Sequence, residues 1–221
     1  AHEFDRAFLF GQTTTTSDAK EMKGLLKWIA NYESAALTTA DLDGVNNAQV
    51  IANDATHALL SLLKLDETID AVRPGKADCL VMNRRIRRYL NGLKNTTSGS
   101  PVRVGQDEFG NFVALYNELP ILINDFSLDT IIDNSSSVLT IASIVQSATY
   151  SSTTADNSVV LALRFSPSDG VCGIQNGMMQ HYPIGELETK RAYRNRFAWD
   201  VAVVMLGKKC AAVLTGASDE S

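Results

Sequence analysis

Side chains alternate in character over Leu187–Val203, and this pattern constrains the fold more than any other feature of the sequence. Most of the apolar and aromatic residues occupy one set of alternate positions: Leu187, Thr189, Arg191, Tyr193, Asn195, Phe197, Trp199, Val201 and Val203. The other set carries the charges: Glu186, Glu188, Lys190, Arg194, Arg196 and Asp200. Because successive side chains of a strand point to opposite sides of a sheet, the pattern predicts one long, half-buried strand with a charged face. We expect Phe197 and Trp199 to lie in the core, where truncating either to alanine would cost about 3–5 kcal/mol.

Helical periodicity dominates the first part of the chain. A helix is predicted over Ala1–Phe10, and the apolar patch Gly24–Ile29 is expected to pack onto the core. The clearest helix is predicted over Asn47–Leu65, with Asn46 or Asn47 as its cap. Its apolar stripe consists of Ala48, Ile51, Ala55, Ala58, Leu59, Leu62 and Leu63.

A strand-to-helix step follows Pro74-Gly75. The apolar run Ala77–Met82 predicts a short buried strand, and Asn83 is placed to cap a helix over Arg84–Leu93. From Pro101 onward the chain reads mostly as strand. Strands are predicted over Val102–Val104, Phe112–Tyr116, Leu119–Ile123, Val159–Phe165, Val171–Ile174 and Cys210–Leu214.

Two turn or loop segments interrupt these strands. Ser168-Asp169-Gly170 is typical of a hairpin turn and predicts that the strands on either side of it pair with each other. Ser127–Asn157 is rich in Ser, Thr, Asn and Asp, and it predicts a long functional or flexible loop.

Composition indicates an ordinary folded protein. The 221 residues are 45% hydrophobic and 20% charged, and the net charge of −5 argues against a protein whose main surface coats DNA. Three widely spaced cysteines, Cys79, Cys172 and Cys210, do not form a disulfide pattern, so we expect reduced thiols. No signal peptide or transmembrane run is visible. The helix predicted at Ala1 lacks a lead-in, which indicates a truncated, processed or partly ordered product.

Residues that would carry catalysis do not converge in the sequence. His2, His57 and His181 have no metal-ligand spacing with one another or with a cysteine. No phosphate-binding loop ends in Gly-Lys-Ser/Thr, and no Gly-x-Ser-x-Gly motif occurs. We therefore expect neither an enzyme nor a cofactor or metal.

Four stretches, in this order and spacing, resemble the C-terminal two thirds of the major capsid proteins of tailed bacteriophages. They are Phe8-Leu9-Phe10-Gly11 with Gly24-Leu25-Leu26; Ala77–Arg84 running on to Leu90 and Leu93; Tyr116–Asp125; and Arg196–Leu214. The N-terminal arm, the extended loop and most of the spine helix of that family have no counterpart in this chain. Any chemistry that some members place on the extended loop is therefore assigned to no residue.

The resemblance implies an α+β (mixed) fold, the phage major capsid fold. It would have a centre-facing domain over residues 46–172 and a discontinuous peripheral domain over residues 1–45 and 173–221. It also implies a structural subunit of an icosahedral phage or prophage head, assembled in the cytoplasm of the bacterial host. Its partners would be further copies in pentamers and hexamers, packaged double-stranded DNA, and scaffold, portal and decoration proteins.

Two charged clusters are candidate subunit contacts. One is the charged face that carries Glu186, Glu188, Lys190, Arg194 and Arg196, where both signs along one edge suit a specific neighbour. Its alternative is a charged strand face that is simply solvated. The other is the basic run Arg84, Arg85, Arg87 and Arg88 on the predicted helix. Its alternatives are contact with DNA phosphates and a solvated helix face.

Three other functions stay open at this point. An encapsulin-like nanocompartment shell shares the capsid fold but encloses protein. Another phage structural protein and an enzyme of an unrecognised family are the remaining alternatives. Because the resemblance places much of the subunit contact in the absent arm and loop, we expect this chain alone to be a monomer or a small oligomer.

Overall fold

The computed structural model describes residues 8–9, 22–33, 48–53, 58–96, 102–106, 110, 112–124, 158–187 and 190–218. Most of the helix predicted over Ala1–Phe10 and all of the loop predicted over Ser127–Asn157 lie outside these ranges. Within them the helices are α1 (Leu25–Glu33), α2 (Leu62–Ala71) and α3 (Arg84–Thr96). The strands are β1 (Val50–Ala52), β2 (Ala58–Leu59), β3 (Cys79–Met82), β4 (Val102–Gln106), β5 (Phe112–Tyr116), β6 (Leu119–Ile123), β7 (Ser158–Leu163), β8 (Val171–Gln175), β9 (Gln180–Leu187), β10 (Lys190–Ala198), β11 (Val201–Met205) and β12 (Ala211–Ser218).

A mixed sheet of eight strands organises the chain. Its order is β1-β12-β7-β3-β6-β5-β4, with β2 also paired to β12. At its centre β3 runs parallel to β6 and antiparallel to β7, and β12 runs antiparallel to β7 and parallel to β1. The mixed class predicted from the sequence is therefore confirmed. The domain boundaries at 46 and 172 stay a prediction, and β12 lies in the same sheet as β3 and β7.

Hydrophobic clusters pack on both faces of this sheet. As a consequence, β7 is buried along its whole length. Val159, Leu161 and Leu163 face one hydrophobic cluster, whereas Val160 and Ala162 face the other. The first cluster includes Leu25, Leu26 and Ile29 of α1, which confirms that the Gly24–Ile29 patch packs onto the core. The second cluster includes Leu65 of α2 with Ile86 and Leu90 of α3.

The strand-to-helix step around Asn83 is confirmed. Cys79–Met82 is a fully buried strand, and α3 begins at the next residue but one. The Asn83 side-chain oxygen accepts a hydrogen bond from the backbone N–H of Ile86 at 2.9 Å, which is the geometry of an N-cap. The strands predicted over Phe112–Tyr116 and Leu119–Ile123 are confirmed as β5 and β6, and β5 pairs antiparallel with β4.

The helix predicted over Asn47–Leu65 is wrong. Val50–Ala52 instead forms β1, which pairs in parallel with Val213–Thr215, and the helix starts at Leu62 and runs to Ala71. Leu63, assigned to the apolar stripe, is 76% exposed. The spacing of those apolar residues suits a helix. Residues 50–52 form a strand instead, because pairing with β12 supplies their main-chain hydrogen bonds and tertiary context overrides the local preference.

The hairpin predicted across Ser168-Asp169-Gly170 is also wrong. The chain does turn there, and a Cβ on Gly170 would lie 2.3 Å from the backbone nitrogen of Ser166, so a glycine is required. The strands on either side then diverge: β7 pairs with β3 and β12, whereas β8 pairs with β11 in a separate two-stranded sheet.

The single long strand predicted over Leu187–Val203 is wrong, because Leu187 is the last residue of β9 and the described residues after it form β10 and β11. It breaks at Trp199-Asp200, so that β10 pairs with β9 and β11 pairs with β8. Only the second part reaches the core, where Val203 and Met205 are buried. Trp28 on α1 holds β11 in place by donating its indole N–H to the Val203 carbonyl at 3.0 Å. Among the described residues, no helix has the length and apolarity needed to cross a bilayer.

Candidate self-association surface

The β9–β10 hairpin forms a two-stranded sheet of its own, in which, among the described residues, each strand is paired only with the other. The register places Phe197 opposite His181, Arg196 opposite Tyr182 and Arg194 opposite Gly185. It shifts between Arg194 and Asn195, where β9 contributes an extra residue near Pro183 and Gly185. Gly185 has a φ of +94°, a conformation that a side chain would strain.

One side of the hairpin, the aromatic face, carries Tyr193, Asn195, Phe197 and His181. Directly opposed residues of a ladder share a face, and residues two apart along a strand do as well. The rings of His181 and Phe197 stack with their centroids 4.7 Å apart. The imidazole Nε2 of His181 lies 3.1 Å from the Asn195 side-chain oxygen, a hydrogen bond in which the imidazole is the donor. The aromatic face is thus ordered by contacts within the hairpin itself.

The other side, the basic face, carries Arg194, Arg196 and Tyr182. Arg196 and Tyr182 are directly opposed, and Arg194 lies two residues along the same strand. Among the described residues, neither arginine has an ion-pair partner. β10 as a whole holds four cations and no carboxylate, at positions Lys190, Arg191, Arg194 and Arg196.

No layer of the described chain covers either face. Tyr193 is 77% exposed, Phe197 64%, Tyr182 47% and Trp199 46%. The expectation that Phe197 and Trp199 lie in the core is therefore wrong. Alternation requires that successive side chains point to opposite sides, but it does not require that another element packs on one of them.

Both faces of the hairpin expose aromatic side chains. An aromatic side chain presents about 150–250 Å², so Tyr193 and Phe197 together leave roughly 280 Å² of ring surface in water on the aromatic face, and Tyr182 leaves roughly 90 Å² on the basic face. Ile184, Met178 and Met179 are also exposed beside it. Contiguous apolar patches of a few hundred Å² on soluble proteins are often interaction sites.

The predicted contact residues divide between the faces. Glu186 is paired with Tyr193, so it lies on the aromatic face. The single continuous strand predicted from the sequence would have placed it on the same face as Arg194 and Arg196. Glu186, Lys190, Arg194 and Arg196 are all exposed, and Glu188 lies outside the described residues. Their role as subunit contacts stays a prediction.

The arginines of α3 form a separate cluster. Arg84 and Arg88 are exposed, and Arg85 and Arg87 are half-buried, on a helix that packs against β4 and β6. The Nε of Arg87 is buried without a hydrogen-bond partner among the described residues. The structure does not place these arginines on the hairpin, and their role as a contact also stays a prediction.

Side chains that could hold a metal do not cluster in the described part of the chain, where no group of three His, Cys, Asp or Glu residues meets. His181 is exposed and engaged with Phe197 and Asn195, and His2 and His57 lie outside the described residues. The chemistry that the hairpin surface offers is aromatic contact and positive charge.

Comparison with known proteins gives similarity at the level of structure. No protein-family model matches the chain, and no curated protein matches it. A cryo-EM structure of the holo-SrpI encapsulin complex from Synechococcus elongatus is similar to it with a TM-score of 0.48 and 15% sequence identity. The matched region covers 71% of this chain and 49% of that encapsulin chain, so it spans about half of the encapsulin's length.

Proposed function

We propose that this chain is a subunit of a self-assembling protein shell with a capsid-type fold. The observation that carries the proposal is the β9–β10 hairpin, whose two faces expose Tyr182, Tyr193 and Phe197. A lone two-stranded hairpin is marginally stable in water, because it has no hydrophobic layer of its own. Packing against a neighbouring subunit would supply the missing layer.

The sequence resemblance to the major capsid proteins of tailed phages supports the same function. Its second stretch becomes β3, the Asn83 cap and α3, and its third becomes β6, which pairs beside β3. Its fourth stretch supplies the end of β10, all of β11 and the start of β12. The stretches that carry the resemblance therefore build the sheet and lead into the exposed hairpin.

Two forms of shell fit this proposal. One is the head of a tailed phage, assembled in a bacterial cytoplasm around double-stranded DNA with scaffold and portal proteins. The other is an encapsulin-like compartment, which encloses protein. The contents of purified particles assign the form: nuclease-protected DNA identifies a phage head, and a stoichiometric cargo protein identifies a compartment.

Sedimentation velocity over a wide range of protein concentration tests the proposal. A shell subunit uses one surface against a different surface of its neighbour, so association continues beyond a pair. The resemblance alone predicts a monomer or a small oligomer, but the exposed hairpin adds a contact surface within this chain itself. We therefore expect reversible small oligomers that extend beyond a dimer, visible as rings or short arrays by negative-stain electron microscopy. A chain that stays monomeric at the highest concentrations, or stops at a dimer, contradicts the proposal.

A pair of matched variants locates the surface. Tyr193→Ser with Phe197→Ser removes the aromatic face and should weaken association by about tenfold or more, because truncating a central aromatic residue costs about 2 kcal/mol. Phe112→Ser changes an equally exposed ring on β5, away from the hairpin, and should leave association at the wild-type level. Equal losses in the two variants would show that the hairpin is not the contact.

A further inference from the structure

The outward side of α2 offers a surface that matches the basic face of the hairpin. α2 buries Leu65 and Thr68 and exposes Leu63, Glu67 and Asp70. These three positions follow i, i+4 and i+7 spacing, so they line one side of the helix. Lys64 joins this side through an exposed ion pair with Glu67 at 2.8 Å.

The two surfaces carry opposite net charge, and each has an exposed apolar or aromatic residue beside its charges. The outer side of α2 has one exposed leucine and two carboxylates, of which Glu67 is paired with Lys64, and the basic face has one exposed tyrosine and two guanidinium groups. Glu67 and Asp70 are about 4.5 Å apart along the helix axis, and Arg194 and Arg196 are about 6.8 Å apart along the strand. Flexible arginine side chains span that difference, so both ion pairs can form at once.

The net charge is also unevenly distributed along the chain, with a positive hairpin and a negative remainder. Residues 180–198 hold four cations and two carboxylates, so they contribute +2 to the net charge of −5, and the rest of the chain carries −7. A basic hairpin on an acidic body attracts the body of a second copy over distances up to about a Debye length, roughly 10 Å at 0.1 M salt.

Pairing between two hairpins is the less favourable arrangement. The free edge of β10 lies along a strand with four cations, so two β10 edges side by side would bring like charges together. The free edge of β9 contains Pro183, which has no amide hydrogen to donate to a new strand. The basic face is therefore matched by a different surface and not by a copy of itself.

We propose that the basic face of one copy docks on the outer side of α2 of the next, with Arg196 opposite Glu67, Arg194 opposite Asp70, and Tyr182 on Leu63. The contact is heterologous, because each copy contributes a different surface, and such contacts continue into rings, shells or filaments. This inference rests on the proposed function and specifies which two surfaces meet. The aromatic face is left free for a further contact.

Charge reversal in two separate variants tests the contact. One variant is Arg194→Glu with Arg196→Glu, and the other is Glu67→Lys with Asp70→Lys. Each brings like charges together at every contact, so each alone should associate at least about tenfold more weakly than wild type. An equimolar mixture should regain association to within about threefold of wild type, because each variant then supplies the surface that the other needs.

A control separates this effect from the change in net charge. Lys76→Glu with Arg103→Glu reverses two exposed cations that lie on neither surface and changes the net charge by the same amount as the hairpin variant. It should associate like wild type. Thermal melting of every variant should stay within about 2 °C of wild type, because surface substitutions rarely alter stability further.

Each outcome has a defined meaning. Recovery in the mixture, with both variants weak alone, supports the contact between the basic face and α2. A Glu67→Lys, Asp70→Lys variant that associates like wild type, or a mixture that stays as weak as its components, overturns it while leaving the shell proposal in place. A wild-type chain that remains monomeric overturns the shell proposal itself.

Discussion

The ring of Phe197 stacks on the ring of His181 across the β9–β10 hairpin, with 21° between their planes and 4.7 Å between their centroids. The two strands therefore hold together through cross-strand contacts between side chains that remain largely in water. In a covered sheet the same pair would be part of the core. In this hairpin the His181–Phe197 pair orders the two strands, and the rings remain exposed, so a neighbouring subunit can contact them.

Phe197→Ala should have a small effect on the isolated subunit. The side chain loses a stacking contact worth about 0.5–1.5 kcal/mol but no core packing, so we expect about 1 kcal/mol and not the 3–5 kcal/mol of a buried ring. Urea denaturation measures the free energy of unfolding. His181→Ala combined with Phe197→Ala should cost little more than either alone, because both remove the same contact. A loss above about 3 kcal/mol would mean that the ring is buried in solution.

Leu80→Ala tests where the core lies. Leu80 is fully buried on β3 at the centre of the large sheet, so the substitution should cost about 2–5 kcal/mol. Leu63→Ala is the matched control, because Leu63 points outward from α2 and should change stability by less than about 0.5 kcal/mol. Similar losses in the two variants would contradict the placement of α2 on the sheet.

The sequence correctly predicted the helices and strands that are stabilised by residues close to them in the sequence. Asn83 is the N-cap of α3, and the apolar residues before it form β3. The short strands β5 and β6 are joined by a tight turn in which Asn117 and Glu118 adopt φ values of +46° and +68°. In each of these segments the cap or turn lies within a few residues of what it stabilises.

Long-range pairing could not be read from the sequence. Val50 pairs with Val213, more than 160 positions away, and no local periodicity reveals such a partner. The apolar spacing around Ile51 suits a helix equally well, which is why Asn47–Leu65 was assigned to one. The candidate site shows the same limit: alternation separated Arg194 and Arg196 from Phe197, but only the structure shows that both faces are bare.

Stability should fall as the pH rises above 9, and Cys79 contributes to that fall. Burial, together with the negative charge of Asp78, raises the pKa of Cys79 to about 11. A folded pKa above the unfolded one stabilises the protein below the unfolded value, and that contribution is lost as the pH rises through the folded value. We expect a loss of about 2 kcal/mol between pH 9 and 11 from this group.

Urea denaturation at pH 7, 9, 10 and 11 checks this. Cys79→Ala should show a shallower decline than wild type, whereas Cys172→Ala keeps the buried thiol and should decline like wild type. Tyr116 adds to the alkaline loss at still higher pH, because burial, followed by its hydrogen bond to Asp66, raises its pKa above the usual range. Parallel declines in Cys79→Ala and wild type would show that Cys79 is not the titrating group.

Asn83 joins the start of α3 to the centre of the sheet, so its replacement should affect both. Its side-chain oxygen caps the helix at Ile86, and its amide nitrogen donates a hydrogen bond to the hydroxyl of Ser158 on β7. Losing a cap costs about 1 kcal/mol, and losing a buried hydrogen bond costs a similar amount, so Asn83→Ala should destabilise the chain by about 2 kcal/mol. Asn83→Asp keeps an acceptor at the helix N-terminus, where negative charge is favourable, and should lose less stability than Asn83→Ala.

Asn91→Ala, within the same helix, is the control and should be close to neutral, because alanine favours helix more than asparagine does. Urea denaturation of the three variants ranks them, and an Asn83→Ala no less stable than Asn91→Ala would show that the cap contributes nothing.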